Sequence, residues 1–278
     1  MEKKSGLGFG AGLRAQHYPD VLAELGRGAA RIDWWEALTE NYLEPGGQPR
    51  ATLRKVREHA PVTLHGVSLS LGSTDPIDRS YVLSVKRLAR EIDPIFVSDH
   101  LSWCSLGGQY AHDLWPLPRT EESLRHLSDR VLLVQELLGR PLVLENISAY
   151  TAFSSSTIAE ADFLAELCRR TDCKLLVDLN NLYVCERNLG VDAEAWLAAI
   201  PKGAVAQFHL AGHSDLGTHL LDTHDAPVCD EVWQLYRSAL RRFGAVPAMV
   251  EWDEHIPPYE RLCEEVDRAR TIAKEVLG

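Results

Sequence analysis

The chain has 278 residues, a length that suits one large α/β barrel or two ordinary domains. Apolar residues make up 45% of it, enough for a sizeable core, and the net charge of −11 argues against partners that need a basic face, namely nucleic acids and anionic membranes. The first residues lack the apolar stretch of a signal peptide and no later run is long enough to cross a bilayer, so the sequence predicts a cytoplasmic protein.

Apolar runs of strand length recur along the chain, with helical segments between them. Near-continuous apolar strands bounded by helices are typical of a parallel sheet, because such strands are buried on both faces. The first candidate is weak and rich in glycine. The predicted strands are Gly6–Gly10, Ile32–Leu38, Val62–Val67, Ile95–Leu101, Leu142–Ile147, Leu175–Leu179, Val205–Leu210 and Ala248–Trp252.

Amphipathic segments fill the intervals between these strands, and several begin at plausible caps such as Asp78 and Thr120. The predicted helices are Tyr18–Leu25, Thr52–His59, Arg79–Ile92, Glu121–Leu138, Ile158–Arg170, Ala193–Ile200, Asp230–Phe243 and Tyr259–Val276. Eight strands alternating with eight helices predict a single (β/α)₈ TIM barrel that spans residues 1–278 as one domain.

A doubly wound open sheet is the competing architecture, because it has a similar alternation of strands and helices. Such a sheet would carry a glycine-rich phosphate turn after its first strand. The glycines from Gly6 to Gly12 have a related spacing, but no helix pattern opens at the last of them. The sequence therefore favours the barrel.

Polar residues close six consecutive predicted strands, from the third to the eighth. In a TIM barrel the active site lies at the carboxyl ends of the strands. One such residue could cap a helix or bond to a backbone carbonyl. Six are harder to explain that way, because carboxylates that converge at the mouth repel one another unless cations are present. The predicted catalytic residues are His65, His100, Glu145, Asp178, His209 and Glu251.

Three further donors follow in the loops after the sixth and seventh strands. The nine predicted metal ligands are His65, His100, Glu145, Asp178, Asn181, His209, Asp222, His224 and Glu251. One octahedral ion takes about six donors and keeps some of these positions for water. Nine donors therefore predict two or three ions.

The order of the strands around the barrel suggests how the donors divide. The first two predicted sets are His65, His100 and Glu145, and Asp178, His209 and Glu251. Glu145 lies between the two sets, so we expect its carboxylate to bridge them. Asn181, Asp222 and His224 lie in loops and are expected to hold a third ion.

The predicted ligands include no thiolate. The six cysteines form no CxxC motif and mostly lie in strand or helix patterns, so we expect them to be reduced packing residues. Mixed histidine and carboxylate sites with open positions suit iron or manganese better than structural zinc.

Other polar residues lie close to the predicted ligands. Asn146 and Asn180 are expected to orient them. His112 and Asp113 form either a lid or proton-handling pair or a hydrogen bond that fixes their loop. Three residues at and after the end of the second strand either line the mouth or form a solvated helix start, and we expect the helix start: Glu36, Glu40 and Asn41.

Sequence motifs occur in a fixed order over nearly the whole chain. They are GLGFGAGLR, TLHGVSLSLGS (Thr63–Ser73), SDHLSW (Ser98–Trp103), HDLWPLP (His112–Pro118), LENIS (Leu144–Ser148), VDLNNLYV (Val177–Val184), HLAGH (His209–His213), DTHDAPV (Asp222–Val228) and VEWDEHIPP (Val250–Pro258). In these motifs the chain resembles the multinuclear non-haem iron-dependent oxidative enzymes, formerly an uncharacterised protein family, which include the methanobactin-biosynthesis oxidase.

The resemblance implies a TIM barrel with two or three irons in mixed Fe(II) and Fe(III) states and with O₂ as co-substrate. It places the family's iron ligands at the nine positions given above. Members of the family modify a residue, in many cases cysteine, of a ribosomally made precursor peptide, with the thiolate on one iron and O₂ on another. They usually act with a separate partner protein that binds the peptide leader, and this chain leaves no room for such a domain.

Two other classes of function fit a barrel with metal ligands at its mouth: a different metal enzyme and a non-catalytic metal-binding protein. A divalent-metal isomerase or hydrolase of the xylose-isomerase type is disfavoured because no strand ends in lysine and Lys174 opens a strand at the opposite end. A nuclease of the endonuclease IV type is disfavoured by the negative charge. A non-catalytic metal-binding protein would be expected to lack some ligands.

Overall fold

The computed structural model describes residues 7–278, apart from the side chain of His112. Eight parallel strands close into a barrel in which each strand pairs with the next and the first pairs with the last. They are β1 (Phe9–Gly12), β2 (Trp34–Leu38), β3 (Val62–Gly66), β4 (Val97–His100), β5 (Val143–Glu145), β6 (Lys174–Asp178), β7 (Val205–Leu210) and β8 (Ala248–Val250). The predicted (β/α)₈ TIM barrel is confirmed.

Helices surround the barrel on its outer face. In the described part of the chain they are α1 (Tyr18–Arg27), α2 (Gly47–His59), α3 (Arg79–Ile92), α4 (Glu121–Leu138), α5 (Glu160–Thr171), α6 (Leu179–Leu189), α7 (Ala193–Ala199), α8 (Asp230–Phe243) and α9 (Tyr259–Leu277). Asp78 and Thr120 cap α3 and α4 by accepting hydrogen bonds from backbone N–H groups, as their positions predict.

The helix α6 is absent from the predicted helices. Residues 179–185 at its start are all buried, and the two asparagines among them, Asn180 and Asn181, face the metal centre instead of solvent. Asp178 starts the helix directly at the end of β6, because its carboxylate Oδ1 accepts a hydrogen bond of 2.6 Å from Asn181 N. A predicted metal ligand is thus also a helix cap.

Five of the eight barrel strands end one or two residues earlier at the mouth than predicted. The predicted strand Leu142–Ile147 pairs with its neighbours only over Val143–Glu145, because the chain leaves the sheet after the polar residue. The weak strand Gly6–Gly10 is displaced to Phe9–Gly12, and Gly6 itself lies outside the described residues.

Two small hairpins, absent from the predicted elements, extend the mouth of the barrel. One pairs Trp103–Leu106 with Gln109–Trp115 after β4, and the other pairs Ser214–Asp215 with Leu220–Leu221 after β7. Ser70 Oγ anchors the first hairpin by accepting hydrogen bonds from the backbone N–H groups of Cys104 and Ser105, at 3.0 and 3.1 Å. Both hairpins follow the carboxyl ends of strands.

Trp34 and Trp35 show how the two faces of a barrel strand are buried. Trp34 is fully buried and pairs in register with Gly10, whose added Cβ would lie 2.4 Å from the Trp34 ring, so a glycine is required in β1 beside it. Trp35 points to the opposite face and stacks on Tyr259 of α9, with the ring centroids 6.4 Å apart. The strand alternation therefore fills the barrel interior and the layer under the helices in turn.

Two expectations from composition are met within the described residues. All six cysteines are free thiols that are buried or half-buried. None of the helices in residues 7–278 is long and apolar enough to cross a membrane.

Candidate metal centre

Two histidines and a carboxylate converge at the ends of β3, β4 and β5. His65 Nε2 and His100 Nε2 lie 3.1 and 3.4 Å from Glu145 Oε2. The other ring nitrogens are engaged elsewhere, since His65 Nδ1 lies 2.8 Å from Ser98 Oγ and His100 Nδ1 lies 3.1 Å from Gly66 O. Ser98 Oγ itself donates to Leu64 O at 3.3 Å, so it accepts from His65 Nδ1–H. Both Nε2 atoms are therefore available to a metal ion.

A second group follows at the ends of β6, β7 and β8. His209 Nδ1 lies 2.8 Å from Glu251 Oε2, 3.9 Å from Asp178 Oδ2 and 3.8 Å from Glu145 Oε1. All four side chains are buried, and one donor atom from each lies within 4.8 Å of the others. Glu145 turns one oxygen to each of the first two groups, which is the arrangement of a bridging carboxylate.

His224 forms the centre of a third group, at the outer side of the second. Its Nδ1 lies 3.3 Å from both Glu251 Oε2 and Asp253 Oδ2. Its Nε2 lies 2.7 Å from Asp222 Oδ1, and the carboxylate of Asp222 is held by Asn180 Nδ2 at 2.7 Å. Glu251 thus links the third group to the second.

Asn181 lies apart from the third group with which the sequence placed it. Its Nδ2 is 3.1 Å from Asn146 O and 3.4 Å from Glu145 Oε1, so it contacts the bridging carboxylate. Asp253, in contrast, lies beside His224. Its side chain is 44% exposed and pairs with Arg14. The distances therefore favour His224, Glu251 and Asp253 as a third set of donors.

Several buried oxygen atoms of the centre accept no hydrogen bond from the described part of the chain. They are Glu145 Oε2, Asp178 Oδ2 and Asn181 Oδ1. A buried acceptor without a donor is costly, unless a cation or an ordered water completes its surroundings. Unsatisfied oxygens that converge with imidazole nitrogens are the donor set of a divalent metal, so these residues fit a metal ion.

The electrostatics of the centre favour positive charge. Burial raises the pKa of Asp178 to about 7. Burial opposes a charge on His209, yet the carboxylates of Glu36, Glu251 and Glu145 raise the pKa of its imidazole well above the usual 6.5. The same field that holds a proton on this ring would stabilise a divalent cation beside it.

Two residues that contact the centre are not among the predicted site residues. Glu36 is not at a solvated helix start: it lies inside the barrel on β2, is 4% exposed, and its Oε1 is 3.0 Å from His209 Nε2. Gln207 is fully buried two residues before His209, and its Nε2 donates to Glu36 Oε2 at 2.7 Å. The spacing of two between Gln207 and His209 was the available signal, because it puts both side chains on the inner face of β7.

Glu40, which was expected at a solvated helix start, is held by hydrogen bonds to neighbouring segments. Glu40 Oε1 accepts hydrogen bonds from Tyr81 OH at 2.6 Å and Val67 N at 3.0 Å, and only Asn41 is exposed as expected. Asn146 exchanges hydrogen bonds with the backbone of Asp178, at 3.0 and 2.9 Å, and so fixes the strand that carries a ligand.

The predicted pair of His112 and Asp113 falls on one of the hairpins at the mouth. Asp113 Oδ1 accepts a hydrogen bond of 2.8 Å from Leu114 N, whereas the side chain of His112 lies outside the described residues.

A family model described as "RiPP precursor modification enzyme MbnB/TglH/ChrH" matches residues 8–274. The chain belongs to this family. The family resemblance read from the motifs is confirmed, and the chain is an enzyme whose substrate is the precursor of a ribosomally synthesised, post-translationally modified peptide (RiPP). The clustered histidines and acids at the mouth are groups that could bind metal ions in such an enzyme.

Relatives of this RiPP-modifying enzyme are similar over nearly their whole length. A UPF0276 protein of Anaeromyxobacter sp. (strain Fw109-5) is 52% identical over 272 residues, which cover 98% of this chain and 95% of the relative. A UPF0276 protein of Caulobacter vibrioides (strain NA1000 / CB15N) is 48% identical over 263 residues, or 95% and 93% of the two chains.

Solved structures with the same fold include a sugar epimerase and an endonuclease. A D-psicose 3-epimerase of Clostridium cellulolyticum, solved with D-tagatose, has a TM-score of 0.63 at 12% identity, over 97% of this chain and 99% of that one. Endonuclease IV of Thermus thermophilus also has a TM-score of 0.63, at 18% identity, over 96% and 99%. At these identities the likeness shows the barrel fold alone.

Proposed function

We propose that this RiPP-modifying enzyme uses O₂ and two or three iron ions, in mixed Fe(II) and Fe(III) states, to oxidise a residue of its precursor peptide, in the first place a cysteine. The observation that carries the proposal is the row of three histidine and carboxylate groups in which Glu145 joins the first to the second and Glu251 the second to the third. Adjacent groups would let the thiol and O₂ bind side by side.

The proposed ligands are the nine residues predicted from the strand ends and the loops that follow them, together with Asp253. Iron bound to them would supply one-electron oxidation, with O₂ as the acceptor of the electrons that the peptide loses. Within the first group, the hydrogen bonds on His65 Nδ1 and His100 Nδ1 hold both rings with Nε2 toward Glu145. Two histidines and one carboxylate leave the remaining positions of the ion open to small molecules.

The surface around the mouth suits an extended peptide. Large apolar side chains project from its loops with 40–54% of their surface exposed, among them Leu106, Tyr110, Trp115, Phe153 and Leu216. A cavity of about 310 Å³ lies between the first hairpin and the loop after β3, lined by Val67, Ser68, Cys104, Tyr110, Asp113 and Leu114. Exposed apolar surface beside a cleft is typical of peptide recognition.

The proposal also includes a partner protein and a cellular compartment. We propose that a separate partner protein binds the leader of the precursor, so that the barrel contributes the metal centre and the apolar mouth. We place the reaction in the cytoplasm, where the six free cysteines would stay reduced.

The experiment is co-expression of the enzyme with the precursor peptide and the small partner protein of its gene neighbourhood, followed by mass spectrometry of the peptide. We expect a mass change on a cysteine that requires iron, reductant and O₂. An unmodified peptide in the presence of iron-loaded enzyme and partner would exclude cysteine as the target. Equal turnover under strict anaerobiosis would exclude the oxidase and favour the isomerase or hydrolase alternative.

A further inference from the structure

We infer that Glu36 is a positioning residue of the metal centre, which holds the Nε2 edge of His209 from inside the barrel and so presents Nδ1 to the metal. The inference rests on the proposed function, because it assumes an ion among Glu145, Asp178 and Glu251. It assigns a role to a buried carboxylate that is not itself among the converging donors.

The two edges of the His209 ring face different partners. Nδ1 faces the carboxylates of the second group, of which Glu251 Oε2 is the nearest at 2.8 Å. Nε2 faces the barrel interior, where Glu36 Oε1 lies 3.0 Å away. His209 is fully buried and Glu36 is 4% exposed, so water from outside does not compete for this contact.

Glu36 is itself fixed by two donors. Thr63 Oγ1 and Gln207 Nε2 donate to Glu36 Oε2 at 2.9 and 2.7 Å, and both residues are fully buried. Thr63 pairs in register with Glu36 across β2 and β3, whereas Gln207 reaches it from β7 on another side of the barrel. The Gln207 amide nitrogen also lies 2.8 Å from His209 Nε2, but an amide nitrogen only donates, so Glu36 Oε1 is the neighbour that can accept a proton from Nε2. A buried carboxylate held by two donors has little freedom to turn away from the ring.

The chemistry of imidazole connects this geometry to the metal. A histidine that binds a metal through Nδ1 must offer the lone pair of Nδ1, so its ring proton lies on Nε2. Glu36 Oε1 is an acceptor for that proton, and a carboxylate there fixes the tautomer and makes the ring a stronger donor to the metal.

The histidines of the first group are held in the reverse orientation. His65 and His100 use Nδ1 for hydrogen bonds to Ser98 Oγ and Gly66 O, which leaves Nε2 for the metal. Only His209 of these three has a carboxylate on the ring edge that faces away from the metal. We therefore expect Nε2 coordination at the first group and Nδ1 coordination at the second.

The first test compares Fe(II) binding by wild-type protein and Glu36→Gln, measured anaerobically by competition with a chelator. Glu265→Gln is the matched control, because Glu265 is a buried carboxylate on α9, 2% exposed and paired with Arg261. We expect Glu36→Gln to bind one equivalent about 10–100-fold more weakly and to retain the other. Binding within about threefold of wild type would overturn the inference, as would equal weakening of every equivalent.

The second test needs no variant, so a folding defect does not affect it. In wild-type protein loaded with Zn(II) and labelled with ¹⁵N-histidine, NMR should show His209 protonated on Nε2, and His65 and His100 protonated on Nδ1. A proton on His209 Nδ1 would overturn the inference. Wild-type protein that binds neither Fe(II) nor Zn(II) would overturn the proposed function as well. Normal metal binding with the predicted tautomers but no peptide oxidation would leave the role of Glu36 standing and remove the oxidase proposal alone.

Discussion

Glu145 lies between His65 and His209, with one carboxylate oxygen facing each ring. Oε2 lies 3.1 Å from His65 Nε2, and Oε1 lies 3.8 Å from His209 Nδ1. The three residues come from β3, β5 and β7, which bring them together only because the barrel closes. A single carboxylate is therefore shared by donors from non-adjacent strands, and the predictions about metal content depend on it.

Glu145→Ala should remove both main metal ions. In this variant each of the first two groups loses a donor. The histidines that remain, two in the first group and one in the second, lose the negative charge that faces them. We expect metal content per chain, measured by elemental analysis after reconstitution with Fe(II), to fall by about two equivalents. Asn181→Ala removes a neutral neighbour of Glu145 and should cost at most one. Equal losses in the two variants would contradict the bridging role of Glu145.

Arg14→Gln should strengthen binding at the third group. The Arg14 guanidinium pairs with Asp253 and lies 3.8 Å from Glu251 Oε1, so its positive charge competes with a metal ion for both carboxylates. We expect the weakest equivalent of Fe(II) to bind severalfold more tightly in Arg14→Gln and to be lost in Asp253→Ala, with the other equivalents unchanged. Weaker binding in Arg14→Gln would mean that Arg14 supports the third group instead of opposing it.

Wild-type protein should carry more than one equivalent of iron after purification, and removal of the metal should lower its melting temperature. Without a cation, the buried oxygens of Glu145 and Asp178 lose their partner, and a ligand at about 100 times its dissociation constant stabilises the folded state by about 2.7 kcal/mol. Calorimetry with and without chelator measures the effect, and Fe(II) should restore it. One zinc per chain, with no response of activity to iron, would contradict the prediction.

The stability of the metal-free protein should depend on pH through Asp99. Burial and the charge of Glu40 raise the pKa of this carboxyl from 3.8 to about 8. Because the folded-state pKa is the higher one, the folded chain binds the proton more tightly. The contribution of Asp99 to stability therefore falls as the pH rises from about 4 to 8, by at most about 1.4 kcal/mol per pH unit.

Asp99→Asn separates this effect from the titration of the metal ligands. The variant keeps the size of the side chain but cannot ionise. We expect the free energy of unfolding in urea, with chelator present, to drop with pH more steeply in wild type than in Asp99→Asn between pH 5 and 8. Parallel curves would show that Asp99 does not titrate in this range.

Gly212→Ala should disturb the third group before the other two. An added Cβ at Gly212 would lie 2.1 Å from the backbone oxygen of Ala226, so the segment that carries His224 would have to move. We expect a loss of about 1–3 kcal/mol of stability and of the weakest metal equivalent. Gly203→Ala is the control, because Gly203 faces open space among the described residues. Unchanged metal content in Gly212→Ala would show that the segment can shift without cost to His224.

The sequence by itself determined the barrel and the composition of its mouth. Apolar strands that alternate with amphipathic helices can be buried on both faces only in a parallel, helix-covered sheet, which makes the pattern specific. Parallel strands that close on themselves place all their carboxyl ends at one rim. For that reason a polar residue at the end of each run, such as His65, Glu145 or His209, could be assigned to one site without knowledge of distances.

The tertiary structure decided which side chains meet. Alternation along a strand tells whether a side chain points inward, but every strand contributes inward side chains, and the contact between Glu36 and Gln207 joins positions 171 residues apart. Asp253 directly follows the eighth predicted strand, but the loop that carries His224 follows no such rule, so their contact could not be predicted. Helix α6 is absent from the prediction because its first polar residues, Asn180 and Asn181, lie buried toward the metal centre and not on a solvent-exposed face. For the contacts of Glu36 with Gln207 and of Asp253 with His224, the deciding quantity is a distance across the closed barrel or its rim, which the order of residues does not contain.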